Sequence, residues 1–214
     1  MDGLLVDTEV VYRDAMIGEA HARQRELPFS VFQRMIGLPA NESDRVAMAH
    51  FGADFDLADY NLGVMRRVTV ATDAGVCLKP GVLEMLDHLE ATKLPRAIAT
   101  SSSHQSVVAH IGHTGIIARF DAVIARGDYA KGKPNPDPFL AAAAALGVAP
   151  QACLALEDSH NGVRAAHAAG MMTVMVPDLL QATQEMHRLC VHVADSLHHV
   201  LAMLRNGGAD VVEP

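Results

Sequence analysis

With 214 residues, half of them hydrophobic and a fifth charged, the chain can bury one substantial core and a smaller accessory unit, and it is too apolar to be disordered. Its formal charge of −8 excludes a general affinity for nucleic-acid phosphates or anionic membranes and leaves a small molecule as the expected partner. Cys77, Cys153 and Cys190 are too few and too widely spaced for a disulfide framework or a zinc site, and they read as reduced cytoplasmic thiols.

The chain opens on Met1-Asp2-Gly3-Leu4-Leu5-Val6-Asp7-Thr8-Glu9. No basic segment precedes an apolar one there, so no secretion signal is read and the cytoplasm is the expected location. Glycine after an acid predicts a tight loop that aims a carboxylate. From about Val10 to Ala74 helical periods are interrupted by Leu27-Pro28 and Gly37-Leu38-Pro39 without a strand pattern, which predicts a separate helical unit. Asp7-Thr8 and Lys79-Pro80-Gly81 border it, so residues 10–77 are assigned to a helical domain and residues 1–9 with 78–214 to the main one.

Beyond residue 80, Val82, Leu83, Leu86 and Leu89 keep helical spacing. Short β-rich runs at Arg96–Thr100, Asp121–Ala125, Ala152–Glu157 and Met172–Pro177 then alternate with helical segments at Ser103–Ile111, Pro136–Leu146 and Ser159–Ala169. The alternation predicts an α/β fold, a doubly wound parallel sheet with helices on its faces. The uncharged run from Pro138 to Leu156 approaches membrane-spanning length, but Gly147, Pro150 and Gln151 divide it into a helix and a strand. The tail after Pro177 carries little signal.

Ligands of open α/β sheets sit beyond the carboxyl ends of the strands. Thr100-Ser101-Ser102-Ser103 offers hydroxyls and N–H groups at a helix start, which suits an anion and equally suits plain helix capping. In Lys131-Gly132-Lys133-Pro134-Asn135-Pro136-Asp137-Pro138 three prolines stiffen a loop able to hold a lysine against negative charge; the alternative is a solvated loop. Gly127 to Lys133 has the glycine and lysine spacing of a nucleotide phosphate loop, but Pro134 stands where a Ser or Thr is required, and that reading is rejected. Glu157-Asp158 ends a strand with two hard-oxygen ligands suited to Mg2+, while a helix cap by Asp158 is the structural alternative. The histidines, His104, His110 and His113 among them, read as surface or core-edge residues without acidic partners, except His160 beside Asp158. A serine hydrolase is excluded because the serines after Thr100 lack a glycine-flanked elbow, and Met35, Met48 and Met65 read as helix packing.

The order acid-Gly, strand-hydroxyl, Lys-Pro, strand-Glu-Asp resembles the four motifs of the haloacid dehalogenase superfamily over nearly the whole chain, with the helical segment placed where its phosphatases and the similar β-phosphoglucomutases insert a cap. The resemblance implies Mg2+ as cofactor, held by Asp158 and the Asp2 carbonyl along with the family's attacking aspartate, with support from Glu157. It implies that Thr100 and the Ser101 backbone, with Ser102, bind the phosphoryl group, that Lys133 neutralises its charge, and that Asp2 is the acid and then the base. Asp2 favours phosphoryl transfer over dehalogenation.

The family's first motif reads Asp-x-Asp-Gly, so the attacking Asp is expected immediately before Met1, at the end of an apolar strand; without it the route has no first step. Without that strand a gap in the sheet is expected. The implied activity is hydrolysis of a small phosphate monoester, by a monomer acting on a small phosphorylated metabolite, with neither nucleic acid nor membrane as partner. One alternative is a phosphosugar mutase. Ala40 stands where those enzymes place a phosphate-clamping arginine, with Arg45 nearby. A second alternative is a phosphate-ligand binding protein without catalysis, if translation begins at Met1.

Overall fold

The computed structural model describes residues 1–36, 38 and 40–207, so Gly37 and Pro39 of the interrupted helical stretch lie outside the described residues. Two units are compact in themselves, one formed by Asp7–Val76 and the other by Met1–Val6 with the chain from Cys77 onward. Among the described residues no helix is long and apolar enough to cross a membrane.

The first unit is built from α1 (Thr8–Ala22), α2 (Phe29–Gln33), α3 (Ala40–Phe51) and α4 (Leu57–Asp73). The Asp56 side chain starts α4 by accepting from the Asp59 N–H at 3.0 Å, satisfying a donor that has no partner within the helix. The helices close on a core of Ala15, Ala20, Leu27, Val31, Met35, Ala47, Tyr60, Val64 and Val68.

The second unit alternates helices and strands: α5 (Val82–Ala91), β1 (Ala97–Ala99), α6 (His104–Ile111), β2 (Ala122–Ile124), α7 (Asp137–Leu146), β3 (Leu154–Glu157), α8 (His160–Ala168), β4 (Met172–Met175), α9 (Gln184–Leu189), β5 (His192–Val193) and α10 (Leu197–Arg205). The ladders between the named strands are parallel, as the alternation predicts: Ile98 pairs with Val123, Leu156 with Val174 and Val174 with His192. Strands β1 to β4 lie inside the predicted runs and are shorter than them, while β5 lies beyond any predicted run. Alanines at Ala143, Ala165, Ala166 and Ala169 pack with Phe139 and Met171 against Ala155, and their small side chains allow close helix–sheet approach.

The sheet is in two pieces, β1–β2 and β3–β4–β5. Among the described residues no ladder joins β1 to β3. Between them lies a cavity of about 470 Å³ whose lining includes Met1, Leu5, Leu86, Ile98, Leu154 and Ala155. The expected gap is present, and it is apolar.

Candidate functional site

β1 and β3 run parallel to their own neighbours and deliver Thr100 and Asp158 at their carboxyl ends. Thr100 is buried; its N–H donates to the Ile124 carbonyl at 2.9 Å and its own carbonyl accepts from the Tyr129 hydroxyl at 3.0 Å. Its hydroxyl accepts from the Ser102 N–H at 3.1 Å. The helix cap belongs to Ser103, which accepts from the Ser106 N–H at 3.1 Å. Capping therefore leaves the Thr100, Ser101 and Ser102 hydroxyls to other tasks, with Ser101 exposed to solvent.

Ser102 donates its hydroxyl to Asp2 Oδ2 at 2.8 Å, and the other carboxylate oxygen of Asp2 lies 2.9 Å from His110 Nδ1. Burial opposes the charge on Asp2, but the hydrogen bonds from His110 and Ser102 hold its carboxyl below the usual carboxylate range. This corrects the reading of His110 as a surface or core-edge residue without an acidic partner. It is 5% exposed, and its partner is 108 positions away in the chain, where no local pattern can reveal it. His104 also has an acidic partner, Asp128 Oδ2 at 2.8 Å. His160 Nε2 lies 2.9 Å from the Gln181 carbonyl.

The Lys133 ammonium donates to the Ala99 carbonyl at 3.1 Å and to Glu157 Oε1, with both side chains about nine-tenths buried. Glu157 Oε2 accepts from the Ser159 N–H at 3.3 Å and from its hydroxyl at 3.0 Å. Burial works against a charged Glu157, yet the positive charge and hydrogen bond of Lys133 keep its carboxyl below the glutamate range. Gly162 is required beside it, since a Cβ there collides with the Glu157 carboxylate.

Asp158 does not cap α8. Ser159 does, accepting from the Gly162 N–H at 3.1 Å. The Asp158 carboxylate instead lies against the backbone of Gly3, whose φ of +70° suits glycine and whose missing Cβ makes room for Asp158 Oδ2. Asp2, Thr100, Ser102, Lys133, Glu157 and Asp158 are thus joined by direct contacts or contacts to adjacent residues.

The Asp158 and Asp178 carboxylates beside Gly3 offer oxygen donors, which is the chemistry that Mg2+ selects. Among the described residues no three His, Cys, Asp or Glu side chains converge on one point. Oxygen donors of this kind fit Mg2+, which is held by few side chains, backbone carbonyls and water.

Residues 1–170 match a family model described as haloacid dehalogenase-like hydrolase. The chain is 37% identical over 186 residues to a probable pseudouridine-5'-phosphatase of Drosophila melanogaster, covering 83% of this chain and 79% of that protein. It is 32% identical over 182 residues to a fructose-1-phosphate phosphatase of Escherichia coli K12, covering 82% and 93% respectively. A solved hydrolase of Deinococcus radiodurans R1 with bound phosphate and sodium is similar with a TM-score of 0.82, over 100% of this chain and 95% of that one; at 23% identity this shows the fold.

Proposed function

The chain belongs to the haloacid dehalogenase-like hydrolase family and is a phosphoric monoester hydrolase; from that premise we propose that it hydrolyses a small phosphorylated metabolite by way of an aspartyl phosphate, with Mg2+. The observation that carries this reading is the meeting of an acid loop, a hydroxyl turn, a buried lysine and a Glu-Asp pair at the carboxyl ends of parallel strands.

Asp158 and the Asp2 carbonyl would hold Mg2+ with Glu157 in support, and the bound ion would supply charge neutralisation for an anionic substrate among carboxylates. The Thr100 hydroxyl and the Ser101 N–H orient the phosphoryl group, and Lys133, anchored on the Ala99 carbonyl, stabilises charge on its oxygens. Asp2, ionised as it stands, takes up a proton once the anionic phosphoryl group is bound beside it, gives that proton to the leaving oxygen, and then takes one from the water that cleaves the acyl phosphate. Its contacts to Ser102 and His110 keep both oxygens in place for that exchange.

The attacking carboxylate is proposed to lie directly ahead of Met1, on an apolar strand seated between β1 and β3. The apolar cavity between two parallel strand edges, with Met1 in its lining, supports this placement. The mutase reading has less support: Ala40 and Arg45 both fall in α3, no arginine stands at the clamp position, and the curated relatives above are named as phosphatases.

The test is phosphate release with Mg2+ from fructose 1-phosphate, glycerol 3-phosphate and pseudouridine 5'-phosphate, by the chain extended with an apolar strand ending in aspartate. Turnover is expected from that protein and is lost in Asp158→Asn. Undiminished activity in Asp158→Asn overturns the site, and no turnover on any ester by the extended chain overturns the phosphatase reading.

A further inference from the structure

β4 runs parallel to β3 with Met175 opposite Glu157, so the residues that follow the two strands emerge at the same end of the sheet. Asp158 follows β3 directly, and Asp178 comes three residues after β4. Asp178 Oδ1 accepts from the Lys79 ammonium at 2.5 Å. The Lys79 backbone N–H donates to the Leu5 carbonyl at 2.9 Å, which ties this ion pair to the loop that carries Asp2 and Gly3.

The second oxygen, Asp178 Oδ2, is buried and has no hydrogen-bond partner among the described residues. A buried carboxylate oxygen left unpartnered is costly and requires a donor or a cation. Its position identifies which one. A Cβ built on Gly3 would meet Asp158 Oδ2 in a collision and Asp178 Oδ2 at 3.5 Å. Both carboxylates therefore crowd the same glycine face, and Lys79 holds one oxygen of Asp178 while the other stays directed to that face.

We infer that Asp178 is a positioning residue for the divalent cation at Asp158, its buried Oδ2 accepting a hydrogen bond from cation-bound water while Lys79 fixes the carboxylate's orientation. This inference rests on the cation site proposed above. Such outer partners change metal affinity by roughly tenfold to a hundredfold when removed.

The experiment is a titration of the 214-residue chain with Mn2+ as the probe, followed by water-proton relaxation, with cooperative melting as the check on folding. Asp178→Asn is expected to weaken Mn2+ binding by roughly tenfold to a hundredfold. Lys79→Met is expected to weaken binding less than Asp178→Asn does, because the additional uncompensated negative charge beside the ion offsets the lost orientation of the carboxylate. Binding unchanged in Asp178→Asn overturns the inference. Equal weakening in both variants also overturns it, because Asp178 would then serve only as the structural partner of Lys79. If Asp158→Asn binds Mn2+ as the unaltered chain does, or the unaltered chain binds none, the cation site itself is wrong and the inference falls with it.

Discussion

The helical unit and the α/β unit complete their cores in different ways. Helices satisfy their backbone groups within four residues, so the four helices of Asp7–Val76 need only bring apolar faces together. Tyr60 is fully buried there, with the rings of Phe51 and Phe55 at 5.5 and 5.3 Å and its hydroxyl donating to the Met16 carbonyl at 2.9 Å. A sheet takes its hydrogen bonds from distant segments, and β1 and β3 each carry a ladder partner on one side with about 470 Å³ of apolar space between them. A helical core can be finished locally, whereas a sheet core depends on every strand that belongs to it.

That contrast can be broken most forcefully by changing volume in each unit. Tyr60→Ala removes a ring from an enclosed aromatic cluster and is expected to cost about 3–5 kcal/mol, measured by urea unfolding. Ala97→Ile adds volume beside the cavity and is expected to change stability by no more than about 1 kcal/mol, since overpacking penalties arise where no space exists. A large loss in Ala97→Ile would show the two cores to be equally full.

The next effect concerns buried charge in the α/β unit. Lys133→Met leaves Glu157 without its cation in a site where both side chains are about nine-tenths buried, at an expected cost of about 3 kcal/mol at neutral pH. Glu157 is held below its usual range by Lys133. Its favourable contribution is therefore present above the unfolded carboxylate range and lost as pH falls through the lowered folded value. In Lys133→Met the sign reverses: the unpaired carboxylate opposes folding at neutral pH, and protonation relieves it on acidification. The gap between the two unfolding curves should narrow as pH drops, and a constant gap would point to lost packing against Phe139, over whose ring the ammonium sits at 4.9 Å.

What could be read from the sequence follows the same division between local and distant. Ala97–Ala99, Ala122–Ile124, Leu154–Glu157 and Met172–Met175 were legible because short apolar runs alternate with helical periods. β5 has two residues and no period to detect, and α9 and α10 lie in a tail without motif context. In the candidate site, Asp2, Thr100, Lys133, Glu157 and Asp158, which the structure brings together, were legible from their types and order. The partners that fix them were not: His110 bonds Asp2 and Lys79 bonds Asp178 across 108 and 99 positions. The alternative of a cap at Asp158 falls one residue short of the observed cap, since Asp and Ser are equally good caps and only the geometry selects Ser159.

The smallest effect sharpens the comparison from the helical side. Glu19 on α1 is 8% exposed and accepts from Arg67 Nε at 2.7 Å and Arg23 Nη2 at 2.9 Å, while Arg23 also reaches Asp59 at 2.7 Å. The hydrogen bond from Arg67, ahead of that from Arg23, holds the Glu19 carboxyl below the glutamate range against the opposing effect of burial. Its contribution is thus complete at neutral pH and disappears as pH falls below about 4 through the lowered folded value. Arg67 is half exposed, so solvent screens the pair and Glu19→Gln is expected to lose only about 1 kcal/mol at neutral pH. The variant should converge with the unaltered chain in acid, and 1 M salt should narrow the neutral-pH difference, whereas for Lys133→Met salt should matter little because the pair is buried. If salt moves both variants equally, the two ion pairs share one environment and the division between a solvated helical network and a dry buried pair does not hold.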